Sequence, residues 1–386
     1  MKASHKSAKS LSKMDFVDHV ETPLNACSLE SLPEPVEDNN GELVWPLMLG
    51  CYELDEASGN RNGRLDLYKV PVSQDSMGFG DATNIIGDTV KFSGVLDGKW
   101  LPNSIHDGSY YYGSAHASGE IVVHKIDKSW QISKAGNTES RDSALCLALS
   151  WDLDKSVSSD QTVSTRIISS YSNGTCSIHQ ANFLEQQVEL IETFTWDAHK
   201  MFHSPAEVWS ACFTTDSNVV MTGGDESHLK IWDIRSGFGT AIHTLKQFEA
   251  GVTVLAPHPR LDHLVACGSY DETVMLLDLR YISKSKPKSL FHSDPVGGGL
   301  WRIKWHPREN DRLLLGAMHG GCRVVQVDGL NSFEELDEGS LIPQIQQEFT
   351  NHKSMAYGAD WLVHTKLEAA ASCSFYDRAM YMWKVN

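Results

Sequence analysis

The sequence predicts an all-β protein, a seven-bladed WD-repeat β-propeller whose ring is closed by a strand from the N-terminal end. Three observations predict it. First, a pattern recurs every ~40 residues, the spacing of propeller repeats. It is clearest in TGGDESHLKIWDIR (222–235), CGSYDETVMLLDLR (267–280), GAMHGGCRVVQV (316–327) and CSFYDRAMYMWKV (373–385). Each joins a strand ending in small residues to a polar turn and then to an alternating apolar strand, as in one four-stranded blade. Second, such a blade cannot bury both its faces alone, so the repeats must stack into a ring. Third, the chain ends on AMYMWKV (379–385), the third strand of a blade, which leaves the last blade one strand short.

Each element follows in chain order. MKASHKSAKSLSK (1–13) has no apolar run of the kind a secretory signal needs and reads as a disordered tail. MDFVDHVETPL (14–24) is the only apolar segment without a blade, so it is predicted to supply the missing outer strand and remove an open sheet edge. Deleting residues 14–22 should then destabilise the whole protein. LVWPLMLGCYELDEASGNRNGRLDLYKV (43–70) is a strand pair with a Gly/Asn-rich turn. TVKFSGVLD (89–97) with SYYYGSAHASGEIVVHKI (109–126), and SALCLALSWD (143–152) with TRIISSYSNGTCSIHQ (165–180), are weaker copies. With the four clear repeats the count reaches seven, and residues 14–386 read as a single propeller. ESLPEPVEDNNGE (30–42) and SFEELDEGSLIPQIQQE (332–348) read as acidic surface loops.

Fifty acidic against 33 basic residues give a net charge of −17. That opposes a phosphate-tracking surface, so no nucleic-acid partner is expected; it suits a cationic partner, or solubility alone. The eight cysteines form no C-x-x-C pair, and Cys176, Cys212, Cys267 and Cys373 lie in apolar strands, where cysteine acts as a small buried hydrophobe. No apolar run approaches the ~18 residues of a membrane span. A reduced, cytoplasmic, monomeric protein without metal or cofactor is expected.

GCYEL (50–54), GGGLWRIKWHP (297–307), YGADW (357–361) and CSFYD (373–377), in this order and spacing, resemble the diphthine methyl ester hydrolases, the WD-repeat proteins of diphthamide synthesis. The likeness runs from about residue 17 to the end. It departs from the family at SLESLP (28–33), where the family tends to have a tryptophan, and at LLDLR (276–280), where a Trp-Asp pair is usual. The resemblance implies hydrolysis of a methyl ester on the over-methylated modified histidine of translation elongation factor 2, freeing the carboxylate for amidation.

Aligning the repeats puts Tyr52, His116, Tyr171, Asp225, Tyr270, His319 and Tyr376 at one turn position, where they are expected to ring one mouth of the channel. Asp271 and Asp377 follow directly. The implied substrate carries a trimethylammonium group, which donates no hydrogen bond and is recognised by aromatic faces and nearby carboxylates. Tyr52, Tyr270 and Tyr376 with Asp271 and Asp377 are the residue types for such a cage. The structural alternative has the tyrosines wedged between blades and the aspartates closing tight turns.

Ester hydrolysis needs an attacking oxygen, a base and a donor for the oxyanion. No G-x-S-x-G elbow and no H-E-x-x-H pair occurs. That leaves water activated by a rim histidine or carboxylate, or an unusual nucleophile such as Cys373 or Ser374. His319 is the preferred base, because Gly320 and Gly321 leave space and free backbone N–H groups beside it. Arg302 is a second candidate for carboxylate or oxyanion binding, against a blade-to-blade ion pair. Glu207 and Asp360 fall at strand starts near the same rim, where a buried carboxylate suits a base of raised pKa.

His199 and His352 precede inner strands, where WD repeats bond a histidine to a turn aspartate and a strand Ser or Thr. Trp232, Trp383, Trp301, Trp305 and Trp361 read as packing, with Trp301 and Trp361 in reach of the mouth. A non-enzymatic alternative is an adaptor that docks a ubiquitin ligase through WDIR (232–235), with Asp233 and Arg235 as contacts; LDLR (277–280) has the same form. Loss of the rim would spare such an adaptor, and a change at Arg235 would disable it.

Overall fold

Seven antiparallel sheets stand around a central channel, and in six of them the strands run outward in chain order. They are seen in a computed structural model that describes residues 16–386, apart from 74–77, 80–82, 85–90, 102–107, 142, 153–155, 158–162, 186, 283–284, 331–336, 338 and 366. The expected tail, 1–13, lies outside the described residues. The inner strands of blades 1 to 7 are Asn25–Ser31, Val95–Trp100, Cys146–Trp151, Val208–Phe213, Val252–Pro257, Arg302–Trp305 and Ala356–His364. Blade 7 continues through Leu367–Ser374 and Ala379–Lys384, and its outer strand is Phe16–Glu21, paired antiparallel with Ala379–Trp383. The ring therefore closes as the sequence predicts. The described residues include no α-helix, only short 3-10 turns such as Ile234–Ser236.

The apolar side chains form seven clusters, one in each wedge between neighbouring blades. Side chains alternate across a strand, so each blade gives one face to each neighbour and both faces must be apolar. All eight cysteines are buried and unpaired, and seven of them lie in these wedges as small hydrophobes, Cys27 being the exception. One acidic stretch departs from its reading as a loop. Ile342–Phe349 is the outer strand of blade 6. Ile342 and Ile345 are exposed on it while Gln347 is buried, an inversion that masks the strand pattern. Glu30 is likewise no loop residue but lies buried within the inner strand of blade 1.

In several blades buried polar bonds tie the turn region to the strands. In blade 4, His199 bonds Glu226 through Nδ1 (2.6 Å) and Thr222 through Nε2 (2.7 Å), and the Trp232 indole donates to Thr222 Oγ1 (2.9 Å). The turn carboxylate is Glu226, not an aspartate as expected. Blade 7 repeats the arrangement, with His352 Nε2 2.8 Å from Ser372 Oγ and the Trp383 indole donating to the same oxygen at 3.1 Å.

Burial lowers His116, His179, His258 and His352 to about 4 and His124 to about 3. In the unfolded chain these imidazoles take protons near pH ~6.5. Since the folded values are depressed, this stability is complete above that pH and is lost as pH falls toward 4. Melting temperatures should be level from neutral pH upward and drop by roughly 10 °C or more as pH falls from about 6.5 to about 4.5. A flat profile in that window would show the imidazoles to be solvated.

Candidate active site

The channel mouth is built by a bulge repeated in the inner strands. Pairing of inner to second strand slips by one residue at Cys27, Leu96, Leu147, Trp209, Thr253 and Tyr357. In blade 6, Trp301 holds the equivalent place, its N–H donating to Gly316 O at 2.8 Å while Arg302 pairs with the same glycine. A bulge re-aims its extra side chain. Repeated around a ring, it sets a collar of seven side chains just inside the mouth.

Three collar residues are aromatic and join turn aromatics in a continuous arc. Around it, Tyr52 lies 5.0 Å from Phe375, Phe375 5.5 Å from Tyr357, and Tyr357 5.1 Å from Trp301, ring centre to ring centre. Trp301 meets Trp209 at 5.7 Å and Tyr270 at 5.9 Å, and those two meet at 5.8 Å. Tyr376 stands on the outer edge, 68% exposed, against Phe375 at 4.9 Å. The arc spans blades 1, 7, 6, 5 and 4, and Trp301 is its hub. Asp225 accepts the Trp209 indole N–H at 2.9 Å, and its main-chain N–H bonds the carbonyl of half-buried Glu207. Burial, with Tyr357, Asp225 and Glu207 nearby, pushes the Tyr270 phenol up.

The gap in the arc, at blades 2 and 3, corrects the expected circle. His116 and Tyr171 turn inward and are buried. His116 Nε2 lies 2.7 Å from Ser114 Oγ, and Tyr171 Oη accepts from Ser169 Oγ at 3.0 Å. In these blades the turn residue itself reaches the strand serine, taking the place that His199 and His352 hold in blades 4 and 7.

Below the collar a chain of alternating charges crosses the channel. Arg302 donates to Asp97 Oδ1 (2.7 Å), which also accepts from Lys99 (3.0 Å). Lys99 reaches Glu30 (2.7 Å), Glu30 bonds Lys304, and Lys304 reaches Asp360 (3.1 Å). Residues two apart share a strand face, which is why Asp97 with Lys99 and Arg302 with Lys304 all point inward. Three cations meet three carboxylates, so the buried set is neutral. Burial pushes the Glu30 and Asp97 carboxyls up, but the neighbouring cations outweigh it and hold both below their ordinary values. Asp360 is different: burial dominates over Lys304 and raises it. The chain walls a cavity of about 380 Å³ whose opposite side is neutral, from Ala148 through Ser210 to Thr253. Arg302 is only 8% exposed and its Nε has no hydrogen-bond partner.

The structure sorts the remaining sequence candidates. Tyr52 and Tyr270 sit in the arc. His319 is exposed on the turn after Ala317, beside Met318, whose sulfur and the Tyr270 ring both border Gly299. Gly320 and Gly321 do not offer free N–H groups, because they donate to Ala317 O (2.7 Å) and Met318 O (3.0 Å). The turn packs so tightly on Gly298 that an added Cβ would lie 2.1 Å from Ala317 O. Asp271 and Asp377 follow the structural alternative. Asp271 accepts from the N–H groups of Glu249 and Thr273, and Asp377 from Lys353 N–H and Ser374 Oγ.

Glu207 lies at the mouth, but Asp360 does not. It is the fifth residue of its strand, deep in the channel, and its oxygens accept from the N–H groups of Ser31 and Trp361. Trp361 is also at the far end. There Trp100, Trp151, Trp305 and Trp361 each donate an indole N–H to the inner strand of the preceding blade. Cys373 is fully buried with its thiol pushed up by burial, and Ser374 is bonded to Asp377. Arg302 makes the blade-to-blade ion pair and keeps one donor unused. Sequence reasoning missed Trp209, Tyr357, Phe375, Glu30, Asp97, Lys99 and Lys304. The signal for the last four was present, as charged residues of complementary sign at alternate positions in otherwise apolar inner strands.

An aromatic collar over a charged channel, carried on blades with His–Thr–Trp and His–Ser–Trp ties, defines a WD-repeat propeller with a specialised mouth. The WD domain, G-beta repeat profile matches residues 191–233 and 239–278. Each match takes the outer strand of one blade and the first three of the next. The chain belongs to the diphthine methyltransferase family. It is 30% identical to the diphthine methyltransferase homolog of Dictyostelium discoideum, over 75% of this chain and 76% of that one. It is 32% identical to the Homo sapiens diphthine methyltransferase, over 73% of this chain and 59% of the human one. The Schizosaccharomyces pombe diphthine methyltransferase is 27% identical over 95% and 96% of the two chains. A chain from a crystal structure of the mitotic checkpoint complex matches with a TM-score of 0.58 and 14% identity, over 100% of this chain and 95% of that one; this likeness shows the fold alone.

Proposed function

We propose that this protein is a carboxylic ester hydrolase of diphthamide biosynthesis, which removes the methyl ester from methylated diphthine on elongation factor 2. The observation that carries the reading is the aromatic arc, with Trp301 at its hub and Trp209 lining the same cavity as a buried guanidinium, that of Arg302, whose Nε is unused. A trimethylammonium group rests against the faces of Trp209, Tyr270 and Trp301, with Glu207 and Asp225 as counter-charge. The ester lies below it, its carbonyl oxygen toward Arg302. His319 takes a proton from water, and the hydroxide oxygen attacks the carbonyl carbon. Arg302 stabilises the oxyanion in a setting of low dielectric. When the tetrahedral intermediate collapses, methoxide leaves with the proton from His319, giving methanol and the carboxylic acid, which ionises.

The relatives' name favours a second reading, methyl transfer to diphthine, and a mass measurement separates the two. Elongation factor 2 carrying the methylated modification is incubated with the purified protein alone, and the unmethylated form with the protein and S-adenosylmethionine. Hydrolysis predicts loss of one ester methyl in the first reaction and no gain in the second. A gain in the second with no loss in the first would replace the hydrolase with a transferase. No change in either would favour the adaptor, tested at Arg235, which is now seen tied back to Asp233 (2.7 Å) as Arg280 is to Asp278. In the same assay His319→Ala should abolish turnover with an unchanged melting temperature, since the imidazole is exposed. A stable variant of full activity would remove it from the site and leave Glu207 as the base.

A further inference from the structure

The hairpin between blades 3 and 4 has no part in the chemistry above. Lys200–Met201 pairs with Ser204–Pro205, and the two linking residues, Phe202 and His203, have φ of 46° and 76°. Two successive positive φ values make a turn that Gly, Asn and Asp adopt freely and that strains a phenylalanine. Phe202 is also 93% exposed, the most exposed large apolar side chain among the described residues. The stem is firmly held. Ala198 and His199 donate their N–H groups to Gly174 O at 2.8 and 3.0 Å, Ala206 donates to His199 O at 3.2 Å, and His199 is locked to Glu226 and Thr222. Leading straight into Glu207 and Trp209, the hairpin stands on the rim of the mouth.

We propose that this hairpin is a docking finger, with Phe202 entering an apolar pocket on the folded protein that carries the modified side chain. The inference rests on the proposed function. Neither strain nor exposure helps the chain fold, and a fixed aromatic projecting from a rim is the kind of anchor that dominates protein interfaces. A net charge of −17 and the pairing of Lys200 with Asp197 (2.8 Å) disfavour an anionic membrane or nucleic acid as the occupant.

The test compares wild type, Phe202→Ser and Phe202→Gly on two substrates: intact methylated elongation factor 2, and a short peptide bearing the same methylated side chain. For both variants KM on the protein should rise about tenfold at unchanged kcat, with peptide kinetics unaltered. Phe202→Gly should also melt higher than wild type, because the turn suits glycine. A protein KM within about twofold of wild type, or equal losses on both substrates, would overturn the proposal. So would a wild-type dimer that Phe202→Gly converts to a monomer in sedimentation, which would assign the ring to a second copy of this chain. Should wild type demethylate neither substrate, the hydrolase reading falls by itself. Direct binding of methylated elongation factor 2 then decides the finger, a loss of about tenfold in the variants upholding it and equal affinity overturning it.

Discussion

Replacing Trp301 by leucine should lower kcat/KM for the trimethylammonium ester by about thirtyfold, the equivalent of the ~2 kcal/mol that a desolvated cation–π contact contributes. Trp301 meets Trp209, Tyr270 and Tyr357, so its loss opens the centre of the arc and not its edge. The discriminating measurement pairs this substrate with an ester in which a neutral tert-butyl group replaces the ammonium. A site that recognises charge loses selectivity between the two on Trp301→Leu and recovers much of it in Trp301→Phe. Equal losses on both esters would reduce Trp301 to packing and remove the main support for the proposed function.

Removing residues 1–22 should lower the melting temperature of the whole propeller by roughly 5–10 °C. Five cross-strand residue pairs join the N-terminal strand to blade 7, and Thr22 N–H donates to Arg378 O at 2.7 Å. Together with the buried side of Val20, these contacts are worth on the order of 5 kcal/mol. Truncation also bares Ala379–Lys384 as an open edge, a template for aggregation. Hydrogen exchange locates the effect: Leu367–Ser374 and Ala379–Lys384 should lose protection first, and protection should then fall around the ring, because each wedge is shared by two blades. A truncated protein that melts with wild type would show that closure contributes little stability.

These two outcomes rest on features of different legibility. The closing strand was readable because it answers a local count: a last blade with three strands, and one apolar segment without a blade. Tyr52 and Tyr270 were readable because the repeats align their turns. His116 and Tyr171 share that alignment and yet turn inward, since the strand serines beside them, Ser114 and Ser169, bond the ring that reaches them. An alignment gives a residue its place on the chain but not the hydrogen bond that claims its side chain.

The sequence by itself determined the architecture of this protein: the number of blades, their turns, the closing strand and the apolar character of both blade faces. All of these follow from periodicity and turn chemistry, which act over a few residues. Only the tertiary structure decided the site. Bulges turned Trp209, Trp301 and Tyr357 into one collar, and ring closure brought Arg302 to Asp97, Lys304 to Glu30 and Ser31 to Asp360 across more than two hundred residues of chain. Charges buried together are tolerable only when paired and hydrogen-bonded. The pairing partner is set by which strands face one another across the channel, a relation that no local pattern in the chain encodes.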